Sequence, residues 1–156
     1  MDRDDKSRLL YQTQVSQKLV DLIERNATEL TNSWLDDIRK EVQLPTYHHF
    51  GNIELYERAY RVFSQLGKWI SRETTKEEIA RDYMEVGAQR RKEGFALSEV
   101  IQALILIRRN LWKKILTEGL LDTTLDLYQA IELNNRVALF FDRAIYYTAI
   151  GYERRG

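Results

Sequence analysis

Between Gly94 and Gly119 the chain carries Val100, Ile101, Ala103, Leu104, Ile105, Leu106, Ile107, Leu111, Trp112, Ile115 and Leu116. A helix over this stretch is apolar on well over half of its circumference, more than one neighbour can cover. It has to be surrounded by other helices, and that requirement limits the rest of the fold. The run is too short, and too closely flanked by charge, to cross a bilayer. Gly94 is suited to the left-handed residue that stops a preceding helix. Arg90, Arg91 and Lys92 sit where a last turn welcomes positive charge. Ser98, with Glu99 behind it, is the expected cap of the apolar helix, which is read as Ser98 to Glu118.

The remaining chain supplies the surrounding helices. One proline and seven glycines in 156 residues leave little to interrupt them. Residues 1–8 read as a charged, flexible start. Val15, Leu19, Leu22 and Ile23 share one helical face. Asn26 and Glu29 have capping-box spacing before a second helix with Leu30, Trp34, Leu35, Ile38 and Val42 inward. Leu44-Pro45 ends it, and Thr46 to Gly51 is expected to be a loop. Asn52 should cap a third helix with Tyr56, Tyr60, Phe63, Gly67 and Ile70 on one face. Thr75 and Glu78 form a regular capping box for the fourth. Asp122 should cap a last helix with no breaker before Gly151, about 40 Å long at 1.5 Å per residue. That helix has two adjacent apolar stripes. One is Leu127, Ile131, Ala138, Phe141 and Ile145; the other is Leu133, Val137, Phe140, Ala144 and Tyr147. The expectation is an all-α single domain, residues 1–156, built as a bundle of five to six helices, plain or globin-like. Residues 122–156 form its long C-terminal output helix.

Composition removes several functions. Lys plus Arg and Asp plus Glu number 24 each, so no net positive charge favours nucleic acid as a partner. Without cysteine there are no disulfides, zinc–thiolate sites or cysteine nucleophile. The start, MDRDDKSR, has no apolar core of a secretory signal, and a cytoplasmic location is expected.

The candidate sites are few. His48 and His49 are the only histidines, and thus the candidates for a metal or haem ligand. Neither has a glutamate three residues before it, as a helical di-metal site requires, so packing or solvation is the simpler reading. Arg90, Arg91, Arg108 and Arg109 could form an anion site for carboxylate or phosphate, against the plainer role of dipole compensation. Asp36-Asp37 and Glu77-Glu78 diverge on their helices and read as solvated faces. Nine tyrosines and three tryptophans are many for this length. Core packing explains most of them; an interface or small-molecule pocket near Tyr146, Tyr147 and Tyr152 is the functional alternative. Gly67 and Gly87 fall inside helices, which suggests close approach of another helix or ring. Nucleophile, base and oxyanion donors do not occur as a set, so neither catalysis nor a cofactor is expected.

The block IARDYMEVGAQRRKEGFALSEVIQALILIRRNLW, residues 79–112, resembles the N-terminal domain of RsbRD, an RsbT co-antagonist. Trp34 after a short amphipathic helix, and a last helix ending RAIYYTAIGYE, agree with it. The resemblance implies a sensory or regulatory input domain, of the kind that precedes STAS domains in stressosome-type proteins and histidine-kinase modules elsewhere. It supplies no ligand residues. The implied mechanism is mechanical, with the last helix carrying a change in packing past Gly156. Homodimerisation through that helix is expected, on a face of Val137, Phe140, Ala144, Tyr147 and Gly151. The competing expectation is a globin-like domain that binds haem or a small molecule.

Overall fold

The computed structural model describes residues 17–119 and 121–154. The charged start, Val15, and the last two residues of the expected output helix lie outside them. Eight helices and no strand occur among the described residues. They are α1 (17–25), α2 (Ala27–Lys40), α3 (Pro45–His49), α4 (Asn52–Ser64), α5 (Leu66–Ile70), α6 (Lys76–Lys92), α7 (Leu97–Glu118) and α8 (Thr124–Arg154). The all-α class is as the sequence implies, with more helices than expected. The surplus comes from a break at Gln65, which divides the third expected helix, and the short α3 in place of a loop.

Local chemistry sets the ends of α6. Thr75 Oγ1 accepts from the Glu78 N–H at 3.1 Å, and Glu78 Oε2 accepts from the Thr75 N–H at 3.3 Å. At the other end Gly94 adopts φ +90°, open to glycine with no side-chain penalty. The Phe95 N–H then reaches back to the Arg90 carbonyl at 3.1 Å, and Phe95 itself is buried. The cap of the next helix lies two residues earlier than Ser98 predicts. Its N-cap is Ala96, and Glu99 accepts from the Ala96 N–H at 3.1 Å. The same carboxylate accepts from the Thr46 N–H at 2.9 Å and the Thr46 hydroxyl at 2.7 Å, so one buried glutamate ties the start of α7 to α3. Similar corrections apply elsewhere. The Asn26 amide donates to the Leu22 carbonyl instead of capping α2. Gly51 is the N-cap position of α4, and Asn52 lies inside that helix. Thr123, not Asp122, pairs with Asp126 to start α8, by reciprocal bonds of 3.0 and 3.1 Å.

The apolar helix α7 is enclosed as its composition demands, with α2 on one side and α6 and α8 on others. The α2 contact mixes apolar packing with polar register. The Trp34 indole donates to the Ala103 carbonyl at 3.0 Å, while Asn110 accepts from Ser33 and donates to Asp37, both at 2.8 Å. Such fully bonded buried groups fix one alignment of the two helices, because any slip leaves them unsatisfied. The third helix does not run on as one element. The break at Gln65 (φ −119°, ψ 25°) changes its phase, so Leu55, Ala59, Val62, Phe63 and Leu66 point inward, and Tyr60 is 39% exposed.

The most extensive contact joins α6 to α8. Gly87 and Gly151 make it possible. A Cβ on Gly87 would collide with the Thr148 carbonyl oxygen, and a Cβ on Gly151 with the Met84 carbonyl oxygen. The two backbones therefore touch. Gly67 likewise admits Val20 of α1, whose Cγ1 would lie 3.2 Å from an added Cβ.

This crossing corrects the expected dimer face. Val137, Phe140, Ala144 and Gly151 are buried inside the chain and Tyr147 is half-buried against the core. They cannot also meet a second copy. The stripe with Leu133, Val137, Phe140 and Ala144 is the centre of the core face of α8, and Phe141 of the other stripe is buried beside it. The exposed apolar residues Tyr128, Ile131, Leu139 and Tyr146 lie on the opposite side of the helix at 100° per residue.

Candidate functional site

Helix α4 packs on α2, and α6 packs on α8. Between α4 and α6 the wedge is left open, as a cavity of about 610 Å³. Its inner wall is apolar and aromatic, with Trp34, Tyr83, Val100, Ala103, Leu104 and Ile107 among its residues. Trp69 from α5 and Tyr47 from α3 also line it. The volume falls within the range of small-molecule sites.

The charged groups of the cavity are arranged unevenly. Arg58 of α4 binds Glu93, which follows α6, through both guanidinium nitrogens at 2.9 and 2.5 Å. Arg90 of α6 donates to the same carboxylate at 3.3 Å. The two arginine side chains are 26% and 13% exposed. Arg58 also lies over the Phe50 ring, 4.8 Å from its centre. Burial, and then the neighbouring Arg58 charge, pull the Arg90 guanidinium below its usual pKa range. Burial works to raise the Glu93 carboxyl, but hydrogen bonds from Arg58 and Gln89, with the charges of Arg58 and Arg90, hold it below its usual value. Burial pushes the Tyr47 and Tyr83 phenols above their usual range, so both stay neutral donors. Two cavity-lining guanidinium groups thus share the Glu93 carboxylate, and Arg58 has Glu54 as a second partner at 4.0 Å.

Trp69 adds a second unbalanced feature. It is 7% exposed, and its indole N–H is buried without an acceptor. Trp34, by contrast, has the Ala103 carbonyl. Lys68 lies over the Trp69 ring at 5.2 Å, Tyr83 meets it edge-on at 5.5 Å, and Phe140 of α8 stacks on it at 5.5 Å.

The residues singled out in the sequence are distributed differently. His48 bonds through Nε2 to the Ile38 carbonyl at 2.9 Å, its own carbonyl accepts from Arg39, and His49 is exposed on α3. Neither lines the cavity. No group of three or more possible metal ligands occurs among the described residues. The four arginines do not form one site. Arg90 faces the cavity, whereas Arg91 donates to the Tyr152 carbonyl at 2.9 Å and lies over that ring. Arg108 and Arg109 sit well along α7 and do not line the cavity. The pocket expected near Tyr146, Tyr147 and Tyr152 is not where the cavity forms. Tyr152 donates to the Phe95 carbonyl at 2.8 Å and anchors the end of α8. Arg58, Glu93 and the Trp69 N–H escaped sequence reasoning, since nothing local marks residues that meet only through the fold. None of the helices is long and apolar enough to cross a membrane, among the described residues.

No curated protein and no solved structure matches the chain. Residues 28–155 match the family described as the RsbT co-antagonist protein rsbRD N-terminal domain, a span from the start of α2 to beyond the end of α8. The chain belongs to the RsbRD N-terminal domain family.

Proposed function

We propose that the chain is a non-catalytic regulatory input domain of a bacterial signalling protein, with α8 as its output element. The observation that carries this reading is membership of the RsbRD N-terminal family, supported by the form of α8. That helix runs 31 residues and packs on α6, α7 and α5. Any movement of those helices reaches it directly. A STAS module in the same protein is the output we propose for it, and a histidine-kinase module is the alternative.

Homodimerisation belongs to the same proposal, on a different face from the one read in the sequence. The outer side of α8 exposes Tyr128, Ile131, Leu139 and Tyr146, which fall on one helical face at 100° per residue. A second copy of the helix is the natural cover for such a stripe. Light scattering should give a dimer mass, and Ile131→Glu with Leu139→Glu should give a monomer that melts at the wild-type temperature. A wild-type monomer at high concentration would remove the dimer from the proposal.

The input reading has its own test. The chain is fused before a STAS domain, and phosphorylation of that domain by its kinase is timed. Variants that disturb the α6–α8 crossing but stay folded should change the rate. Equal rates for wild-type and disturbed fusions would refute an input role for α8.

A further inference from the structure

We infer that the wedge between α4 and α6 is a binding site for a small amphipathic organic anion. Such a ligand has an aromatic or aliphatic body and one carboxylate or sulfonate group. This deepens the input-domain reading and rests on it for its biological meaning, but binding itself can be measured without any output.

Three observations converge. The wedge is roomy, at about 610 Å³, because α4 and α6 each pack on a different neighbour. Its inner wall offers aromatic and aliphatic surface: Trp34 has its donor satisfied within the fold, and the side chains of Val100, Ala103, Leu104 and Ile107 are hydrocarbon. An apolar ligand body gains about 25 cal/mol for each Å² it removes from water there.

The charge balance selects the ligand's other end. Acidic side chains also border the cavity, but Glu54, Glu57 and Glu85 stand exposed at its mouth and Asp82 is partly exposed. Water screens them. Arg58 and Arg90 are the less exposed charges: Arg58 has Glu93 and, 4.0 Å away, Glu54, whereas Arg90 has only a share of Glu93, at 3.3 Å. A charge held away from water acts more strongly on its surroundings than a solvated one. An anion beside Glu93 would give Arg90 a partner of its own and offset the desolvation that now weighs on it. A guanidinium fork suits a carboxylate or sulfonate in two-point contact.

Trp69 is the third observation. A buried donor without an acceptor costs about 1–3 kcal/mol. The Trp69 N–H is such a donor in a cavity-lining side chain. A small rotation of the ring would present it to an acceptor on the ligand.

The test uses two dyes with the same aromatic body. One, 1-anilinonaphthalene-8-sulfonate, is an anion; the other, N-phenyl-1-naphthylamine, lacks the sulfonate. Both are titrated into the purified chain, with folding of each variant checked by a cooperative thermal melt. The anionic dye should bind saturably at one site per chain and roughly tenfold or more tighter than the neutral one. Arg90→Met and Arg58→Met should each erase most of that preference while the neutral dye keeps its affinity. Arg58 is the more exposed of the two, so its variant decides the matter if Arg90→Met does not fold. Energy transfer from tryptophan to bound dye should fall further in Trp69→Phe than in Trp112→Phe. Absence of saturable binding overturns the proposal, as does equal affinity for the two dyes. A preference that survives both arginine variants overturns it too. None of these failures touches the phosphorylation test of the input role.

Discussion

Replacing Gly87 by alanine should destabilise the protein, although alanine is the better helix former. The reason lies in what the new methyl group would meet. Its Cβ would collide with the Thr148 carbonyl oxygen, and would stand 2.7 Å from the Tyr152 nitrogen and 2.9 Å from the Thr148 carbonyl carbon. Ordinary carbon–oxygen contacts between packed helices begin at about 3.3 Å. All three obstacles are backbone, so no side chain can swing aside. Helices α6 and α8 must separate by about 1 Å, and a gap of that order forfeits roughly a quarter to a half of each dispersion contact along the seam. Tyr83 and Ala88 on α6, and Phe140, Ala144 and Thr148 on α8, are among the buried residues of the two helices.

Overpacking of this kind costs typically 1–3 kcal/mol, and backbone against backbone belongs at the top of that range. Helix propensity returns up to about 1 kcal/mol. The net loss is about 2 kcal/mol, or a fall in melting temperature of about 4–8 °C for a domain of this size. Gly51→Ala is the control, because only the Glu54 carboxylate, at 3.9 Å, comes near its added Cβ. Gly151→Ala should resemble Gly87→Ala, and the double variant should cost less than the sum, since the helices need to part only once. Thermal melts followed by circular dichroism measure all four. A Gly87→Ala melt at or above the wild-type temperature would mean that the two backbones do not touch.

Two other sites give distinct expectations. Glu99→Ala removes the acceptor of three hydrogen bonds, at the Ala96 N–H, the Thr46 N–H and the Thr46 hydroxyl. It should cost about 2–4 kcal/mol in urea unfolding, and a loss under about 1 kcal/mol would show the α3–α7 tie to be incidental. Glu93 has a folded-state pKa below its ordinary value of 4.5, so the folded state binds fewer protons than the unfolded state in that window. The stability it contributes is present above about pH 4.5 and is lost as pH falls through the depressed value. Urea midpoints of wild type and Glu93→Gln should therefore converge in acid; a difference that is the same at neutral and acid pH would exclude an ionised Glu93 as the partner of Arg58 and Arg90.

What could be read from the sequence was local or saturated. Thr75 and Glu78 lie one turn apart, and their reciprocal bonds need no other part of the chain. Gly94 needs only its own φ. The helix with Val100 to Leu116 is apolar on so many sides that enclosure was the sole outcome. Readings failed where two local answers competed and the fold chose between them. Ser98 is a good cap, yet Glu99 is held by Thr46, and that distant partner favours a start at Ala96. Gln65 is no breaker by type; the turn there is imposed by packing of Leu66 and Trp69. The last helix has two stripes of similar character, and periodicity cannot say that the core takes the whole of one and only Phe141 and the edge of Ile145 from the other. The glycines could have said so. Gly87 in one helix and Gly151 in another are the two halves of one close crossing, though nothing local links the two. The cavity group had no comparable sign, because Arg58, Trp69 and Arg90 come from three helices and gain their meaning only from the space between them.

That same glycine crossing bears on how an occupied cavity could reach the output helix. Trp69 and Tyr83 form part of the cavity wall, and both rings rest on Phe140 of α8, at 5.5 and 5.7 Å. A ligand that displaced either ring would press on α8 directly. The alternative, a shift of α6 alone, is blocked where its backbone already touches that of α8. Arg91 and the Phe95 carbonyl further hold Tyr152 at the far end. Helices α6 and α8 are therefore tied as a pair, and α4, which packs on α2, is the wall that a ligand would move against them. A ligand can drive that motion only through its difference in affinity for the open and closed wedge. A tenfold difference supplies 1.4 kcal/mol, similar in size to the unmet bond of Trp69. The balance between relieving that donor and spreading α4 from α6 thus decides which arrangement the ligand favours, and Phe140, buried against both rings, is the side chain through which α8 would feel the choice.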